Sequence, residues 1–301
     1  MRKELIAHDD PKSPISEIFR TLRTNIQFMN TKKKLKTIIV TSTSAGEGKS
    51  FVSSNLAVTF AQTGKRVLLV DADMRKGRQY KIFKLPPKPG LSDYLSGIDF
   101  ANEEEYDDSL ANYIKITDTM NLYVMVAGSI PPNPAELLIS SKMTSFLEEV
   151  KQLFDFIIID STPCQLVADA LILSRIVDAT IVVSACNQTK KEDLNRVLTG
   201  IQNVGGNISG VVINKLPVSA KKYRESYYYK SSGIDEKTQK VKPISHNKEF
   251  DINDLKKNIE GLNVEKENIE NRQIDQALEP EKRENDTLKQ INDYLDQMLK
   301  K

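Results

Sequence analysis

Thr37-Ile-Ile-Val-Thr-Ser-Thr-Ser-Ala-Gly46-Glu47-Gly48-Lys49-Ser50 is the stretch on which the fold turns. Thr37 to Val40 are apolar or β-branched and read as a buried strand. The strand enters a turn of small residues that ends Gly46-Glu47-Gly48-Lys49-Ser50. From Ser50 to Gln62, apolar residues at Phe51, Val52, Leu56, Val58 and Phe60 predict a helix. A strand, a glycine turn and a helix in that order make a phosphate cradle. Glycines let backbone N–H groups close around phosphate oxygens, and the helix N-terminus adds partial positive charge. In such a loop Gly46, Glu47, Gly48, Lys49, Ser50 and Phe51 line the nucleotide; the Lys49 ammonium reaches the terminal phosphates and the Ser50 hydroxyl ligates Mg²⁺. The strict spacing has glycine where this chain carries Thr43.

Outward from that junction the same alternation repeats. Arg66-Val-Leu-Leu-Val-Asp71 is a second short apolar strand ending in a carboxylate. Strands are predicted over 122–126, 156–160, 179–184 and 208–214, and helices over 134–153, 167–176 and 190–204. Continuous apolar strands alternating with helices predict an α/β fold, doubly wound, with a mostly parallel sheet covered by helices on both faces, as in P-loop NTPases. Ligands of such sheets bind beyond the C-terminal strand ends. The glycine turn, Asp71, Asp160 and Asn214 all fall there. Past about Lys221 the pattern stops. Residues 231–301 hold 13 basic and 16 acidic residues and one phenylalanine, so this extension reads as a charged, partly helical or disordered tail. Ile252, Leu255, Ile259 and Leu262, and again Leu288, Ile291, Leu295 and Met298, are spaced as faces of short helices.

Composition excludes several classes. The 301 residues carry 43 basic and 41 acidic side chains, a balance unlike that of a dedicated nucleic-acid binder. The two cysteines, Cys164 and Cys186, form no Cys-x-x-Cys pair, and the two histidines, His8 and His246, lie far apart. That argues for a reducing compartment and against zinc or iron–sulfur ligation. No apolar run reaches the ~18 residues of a membrane span, and no signal peptide is recognised, so a cytoplasmic location is expected.

The remaining chemistry is carboxylate chemistry. Asp71-Ala-Asp73-Met-Arg75 sets two acids at the mouth of the second strand, and Phe156-Ile-Ile-Ile-Asp160 supplies a third at another strand end. Mg²⁺ takes oxygen ligands and combines one or two carboxylates with water and phosphate. Ser50, Asp71 and Asp160 offer that set. Asp71 or Asp73 remains as the base for an incoming hydroxyl in phosphoryl transfer, with Lys49 stabilising the transferring charge. Asn214, at the last strand end, is a candidate for adenine contact.

These motifs resemble those of the bacterial tyrosine kinases, the cytoplasmic kinases of capsule and exopolysaccharide operons. The loop Ala45–Ser50, the Asp71-x-Asp73-x-Arg75 run and the Ile-Ile-Ile-Asp160 strand look like that family's three nucleotide motifs. Gly90-Leu-Ser-Asp-Tyr-Leu-Ser-Gly97 and Gly128-Ser-Ile-Pro-Pro-Asn133-Pro-Ala-Glu136-Leu-Leu are similar to two further family stretches. The likeness covers roughly residues 13–230. Departures are Gly77 where proline is usual, and Ser161-Thr162-Pro163 where Thr-Pro-Pro is usual. Partitioning and cell-division ATPases carry a lysine where this chain has Ser44. That absence favours the kinase branch; a non-kinase ATP-dependent assembly switch of the partitioning type is the alternative reading, and it has no use for a tyrosine cluster.

The resemblance implies an ATP- and Mg²⁺-dependent protein-tyrosine kinase that phosphorylates its own tyrosines between subunits. It assigns the acceptor role to Tyr223, Tyr227, Tyr228 and Tyr229, a cluster whose three consecutive aromatics cannot share one face of an element. Lys221, Lys222, Arg224 and Lys230 against Glu225 leave that cluster at +3. Four phosphates would take it to roughly −3 to −5. Ser13-Pro14 predicts a helix cap followed by proline at the first helical position. The helix then carries Glu17, Arg20 and Arg23. Spacing alone gives a Glu17–Arg20 ion pair within the helix; the resemblance implies contacts that close a ring-shaped homo-oligomer. It further implies, as partners, protein tyrosine substrates and a separate membrane-embedded polysaccharide co-polymerase that activates the kinase and recruits it to the inner face of the plasma membrane. The expected organisation is an N-terminal helix with the oligomerisation motif (1–36), a P-loop ATP-binding kinase domain (37–220), the tyrosine cluster (221–233) and a charged C-terminal extension (234–301).

Overall fold

Seven strands form one sheet in the order β3-β4-β2-β5-β1-β6-β7. They are β1 (Thr37–Ser42), β2 (Val67–Asp71), β3 (Lys115–Ile116), β4 (Leu122–Met125), β5 (Phe156–Pro163), β6 (Ala179–Ala185) and β7 (Ile208–Asn214). Every neighbouring pair is parallel except β3 with β4, which closes one edge antiparallel. The structure, a computed structural model, describes residues 4–29, 35–97 and 110–217. The tyrosine cluster at Tyr223 and Tyr227–Tyr229, the C-terminal extension and its two predicted helical faces lie outside the described residues. Among the described residues no helix is long and apolar enough to cross a membrane.

The helices are α1 (Ile6–Asp9), α2 (Pro14–Phe28), α3 (Lys49–Ala61), α4 (Gln79–Phe83), α5 (Leu91–Ser96), α6 (Pro134–Ile139), α7 (Ser141–Leu153), α8 (Asp169–Ile176) and α9 (Lys191–Asn203). Side chains alternate across each strand, which explains the two-sided core. Ile38, Val40, Leu69, Ile158 and Ile181 meet Phe19 of α2, Leu56 and Phe60 of α3, and Ile82 of α4. On the opposite face Val182 meets Val197 and Ile201 of α9, with Leu171 of α8 alongside. All six residues of β1 are buried, Thr41 and Ser42 beyond the apolar or β-branched run Thr37–Val40 included.

The predicted N-terminal cap is present. The Ser13 hydroxyl accepts from the Ser16 amide at 3.1 Å, with Pro14 at the first helical position. The segment it begins is integral to the core: Phe19 packs edge-on against Phe51, ring centroids 5.6 Å apart. Asn55, fully buried in α3, receives the Ala7 amide at 2.9 Å and donates to the Glu4 carbonyl at 2.7 Å. Ser13→Ala is expected to lower stability by about 1 kcal/mol, read as a fall of about 2–4 °C in a thermal melt.

Two predicted elements are corrected. The single helix over 134–153 is two, broken at Ser140, whose backbone is extended (φ −64°, ψ 155°). Its hydroxyl accepts from the Met143 amide at 3.3 Å, so it caps the second helix instead of continuing the first. The strand expected to end at Asp160 runs on to Pro163, because β1 continues to pair with it, Ser42 opposite Pro163, across a register shift. Asp160 therefore lies inside a strand.

Candidate active site

Gly46 and Gly48 turn the chain between β1 and α3 at φ +82° and +99°, the left-handed region open to glycine. The first helical hydrogen bond is Val52 N–H to the Gly48 carbonyl at 2.9 Å, so the amides before it in the first turn of α3 precede any intrahelical partner. The loop is braced from three sides. The Glu47 carboxylate accepts from the Ser44 amide at 2.9 Å and from the Thr189 hydroxyl. The Asn214 side-chain amide donates to the Glu47 carbonyl at 2.8 Å. The Ser42 hydroxyl donates to the Ser44 carbonyl at 2.8 Å. Glu47 is thus buried as a strut of the loop, Asn214 clamps it, and the Phe51 ring faces α2; of Phe51, the backbone stays on the loop side.

Asp71 and Asp160 sit opposite each other on the adjacent strands β2 and β5. Both are fully buried, and Asp73 nearly so. The Lys49 ammonium reaches across to them, 3.0 Å from Asp73 Oδ2, 3.8 Å from Asp160 Oδ1 and 3.3 Å from Ser50 Oγ. Sequence-predicted Lys49, Ser50, Asp71, Asp73 and Asp160 are therefore brought together at one end of the sheet. The carboxylates differ in their surroundings. Asp71 Oδ2 accepts from the Arg78 and Gln79 amides at 2.8 and 2.9 Å, and its Oδ1 accepts from the Asp73 amide at 3.2 Å. Asp73 Oδ1 accepts from the Lys76 amide at 2.9 Å. Asp160 Oδ1, in contrast, is buried without a hydrogen-bond partner.

Burial first, and then the facing Asp160, raise the Asp71 carboxyl to about 8. Burial likewise raises Asp160, opposed by Lys49. Burial works against the Lys49 charge, but Asp160 and Asp73 outweigh it and its pKa is raised. A buried carboxylate oxygen that accepts no hydrogen bond, with the Lys49 ammonium 3.8 Å away and among acids whose ionisation is disfavoured, is suited to a hard divalent cation. No group of three or more His, Cys, Asp or Glu among the described residues could hold a metal ion; Mg²⁺ that shares phosphate oxygens and water needs only one or two carboxylates.

A carboxyl whose folded pKa stands above its unfolded value near 4 contributes stability below pH 4 that is lost as pH rises towards the folded value. Nucleotide-free protein should therefore melt progressively lower from about pH 4 to pH 8. Asp160→Asn removes one of two facing charges and should flatten that decline, raising the melting temperature at pH 8 by about 3–6 °C with little change at pH 5. Equal shifts at both pH values would refute the repulsion.

Three sets of contacts at the site had no sequence signal. Gln79, fully buried, donates from Nε2 to Asp160 Oδ2 at 2.8 Å and to Ser53 Oγ at 3.1 Å, tying α3, α4 and β5 together. Arg75 grips Asp169 with Nε and Nη2 at 3.0 and 3.3 Å. Asp93 joins the 90–97 and 128–138 stretches, accepting from the Gly90 amide at 2.9 Å and the Ser129 amide at 3.2 Å. Glu17 and Arg20 form the ion pair expected from their spacing. Arg23 donates to the Thr59 carbonyl of α3 at 2.7 Å, so this part of the motif is anchored within the chain.

The AAA domain family profile matches residues 35–212. The tyrosine-protein kinase YwqD of Bacillus subtilis is 36% identical over 229 residues, 76% of this chain and 92% of that protein. The tyrosine-protein kinase CpsD of Streptococcus pneumoniae serotype 4 is 38% identical over 208 residues, 69% and 87% of the two chains. Among solved structures, the kinase domain of the Escherichia coli tyrosine kinase ETK superposes with a TM-score of 0.65 at 30% identity, covering 71% of this chain and 82% of that one. The chimerical protein CapA2B2 gives 0.66 at 36%, covering 71% and 91%. The septum site-determining protein MinD of Pyrococcus horikoshii, at 21% identity and 0.50, shares the fold. The glycine loop, the facing aspartates and relatives aligned over most of their length lead to one conclusion: the chain belongs to the bacterial tyrosine kinases of capsule and exopolysaccharide operons.

Proposed function

We propose that this kinase binds ATP with Mg²⁺ in the 46–50 loop and transfers the γ-phosphoryl group to tyrosines of a neighbouring copy. The observation that carries the reading is the convergence of Lys49 with Asp73 and Asp160 beside the glycine turn. The loop amides and Lys49 hold the phosphates; Ser50, Asp71 and Asp160 offer oxygens to Mg²⁺. When bound, Mg²⁺ neutralises charge on the transferring phosphoryl group. Asp160 supplies its unpartnered oxygen there, whereas Asp71 already receives three amides. Asp73, held by one amide and by Lys49, is the better placed to accept the tyrosine proton, and Lys49 must then shift from Asp73 towards phosphate.

The acceptors are Tyr223 and Tyr227–Tyr229, presented between subunits of a ring that Glu17, Arg20 and Arg23 help to close. The kinase serves polysaccharide synthesis and export, and a separate membrane protein recruits and activates it at the inner face of the plasma membrane. The likeness to the chimerical protein CapA2B2 is in keeping with an activator that works together with the kinase. Incubation with Mg²⁺–ATP followed by mass spectrometry should place phosphate on Tyr223 and Tyr227–Tyr229. ATP turnover with no phosphotyrosine, even with a candidate activator fragment added, would reject the reading.

A further inference from the structure

Beside the aspartates lies a cleft of about 780 Å³ whose lining includes Arg75, Lys76, Arg78, Lys81 and Lys88 and no acidic residue. Two of these cations are engaged, Arg75 with Asp169 and Arg78 with Glu4 at 2.7 Å. Lys76, Lys81 and Lys88 are exposed and form no ion pair among the described residues. The Lys81 ammonium stands 5.4 Å from the centroid of the Tyr80 ring. Two surfaces in the lining suit an aromatic ring: Tyr80, and Ile130 with 77% of its surface exposed.

The cleft and the catalytic carboxylates share one wall. The loop 74–78 lines the cleft, and the same loop donates Lys76 N–H to Asp73 and Arg78 N–H to Asp71. An occupant of the cleft thus lies one loop thickness from the candidate base. Gly77 allows this closeness, since a Cβ there would stand 2.9 Å from Asp71 Oδ2 and 2.6 Å from the Ala127 Cβ.

We infer that this cleft docks acidic residues flanking the acceptor tyrosine of protein substrates, selecting substrates opposite in charge to the chain's own basic tyrosine cluster. The inference deepens the kinase reading and rests on it. Clustered lysines without counter-charges attract an acidic segment, and complementary charge sets partner choice and encounter rate more than it sets raw affinity. Residues 221–230, at +3 before phosphorylation, have no net negative charge to offer this cleft, so transfer to them does not depend on it.

The test uses the full chain and two fluorescein-labelled tyrosine peptides of equal length, one flanked by glutamates and one by lysines. Fluorescence anisotropy reads docking without requiring transfer. The glutamate peptide should bind at least about 10-fold tighter than the lysine peptide, and more weakly as salt rises. Lys81→Glu/Lys88→Glu should abolish that preference, while Lys65→Glu, at the opposite end of β2, keeps it. Phosphorylation of the chain's own cluster by the double variant should persist, which also reports that it folds. An unchanged preference in the double variant, or displacement of the peptide by an oligo-dT of equal charge at equal concentration, overturns the assignment. Retained peptide binding without phosphotyrosine on any substrate, even with a candidate activator fragment added, overturns the acceptor role and the kinase reading with it. Lost selectivity with autophosphorylation intact in the wild type overturns the docking inference alone.

Discussion

Lys49→Met is expected to lower phosphotyrosine formation about 10³-fold, the usual scale for deleting a group that stabilises transition-state charge in a water-poor site. Lys49 is the cation that faces all three acids of the site, within 3.0 Å of Asp73 and 3.8 Å of Asp160. Methionine keeps the apolar stem and removes the charge, so α3 should form as before. Its removal has a second signature. With the ammonium gone, the repulsion between Asp71 and Asp160 is opposed only by the amides that they accept from and by protonation, whose cost grows with pH. The melting temperature of the nucleotide-free variant should fall below wild type more at pH 8 than at pH 5, opposite in sign to the change expected for Asp160→Asn. Anti-phosphotyrosine blotting and thermal melts at the two pH values check both claims. Retained phosphotyrosine at more than a tenth of wild type would remove Lys49 from the mechanism.

Gly48→Ala should cost about 2–4 kcal/mol of stability and lower affinity for a fluorescent ATP analogue by at least about 100-fold. Two separable causes act. At φ +99° an L side chain is strained, and its Cβ would stand 2.1 Å from Asn214 Nδ2. Asn214 must then rotate and surrender its hydrogen bond to the Glu47 carbonyl, which releases the loop at its tip. Asn214→Ala alone should cost about 1 kcal/mol, the net worth of that bond. In the double variant the clash is absent and the backbone strain remains. Urea titrations of the four proteins should therefore give a double-variant loss smaller than the sum of the single losses. Strict additivity would mean that the backbone angle, not the contact, is responsible.

Part of this site was legible in residue order. The strand at Thr37–Val40 could be recognised because a run buried on both faces has no polar alternation to hide it, and Lys49 and Ser50 because a glycine turn at a strand end has few other uses. Asp71 and Asp160 were legible as acids closing apolar runs, although only pairing with β1 put Asp160 inside its strand. Glu47 and Phe51 show the limit. Both fall within the motif that lines a nucleotide, yet one side chain braces Ser44 and Thr189, and the other packs on Phe19. A motif fixes which backbone lies near the phosphates, whereas each side chain's direction depends on what is packed behind it.

The sequence by itself determined the alternation of strands and helices, the phosphate loop, the acids and the family, because each is written in local period or in a short run of residues. Tertiary structure alone decided which acid keeps a free oxygen, that Gln79 bridges Asp160 to α3, that Asn214 closes over Gly48, and that five cations line one cleft beside Asp71. Apart from the five cations, which all fall within residues 75–88, those facts join residues distant along the chain. Their proximity follows from strand order and from the close packing of side chains across the sheet, and neither leaves a periodic trace in the sequence.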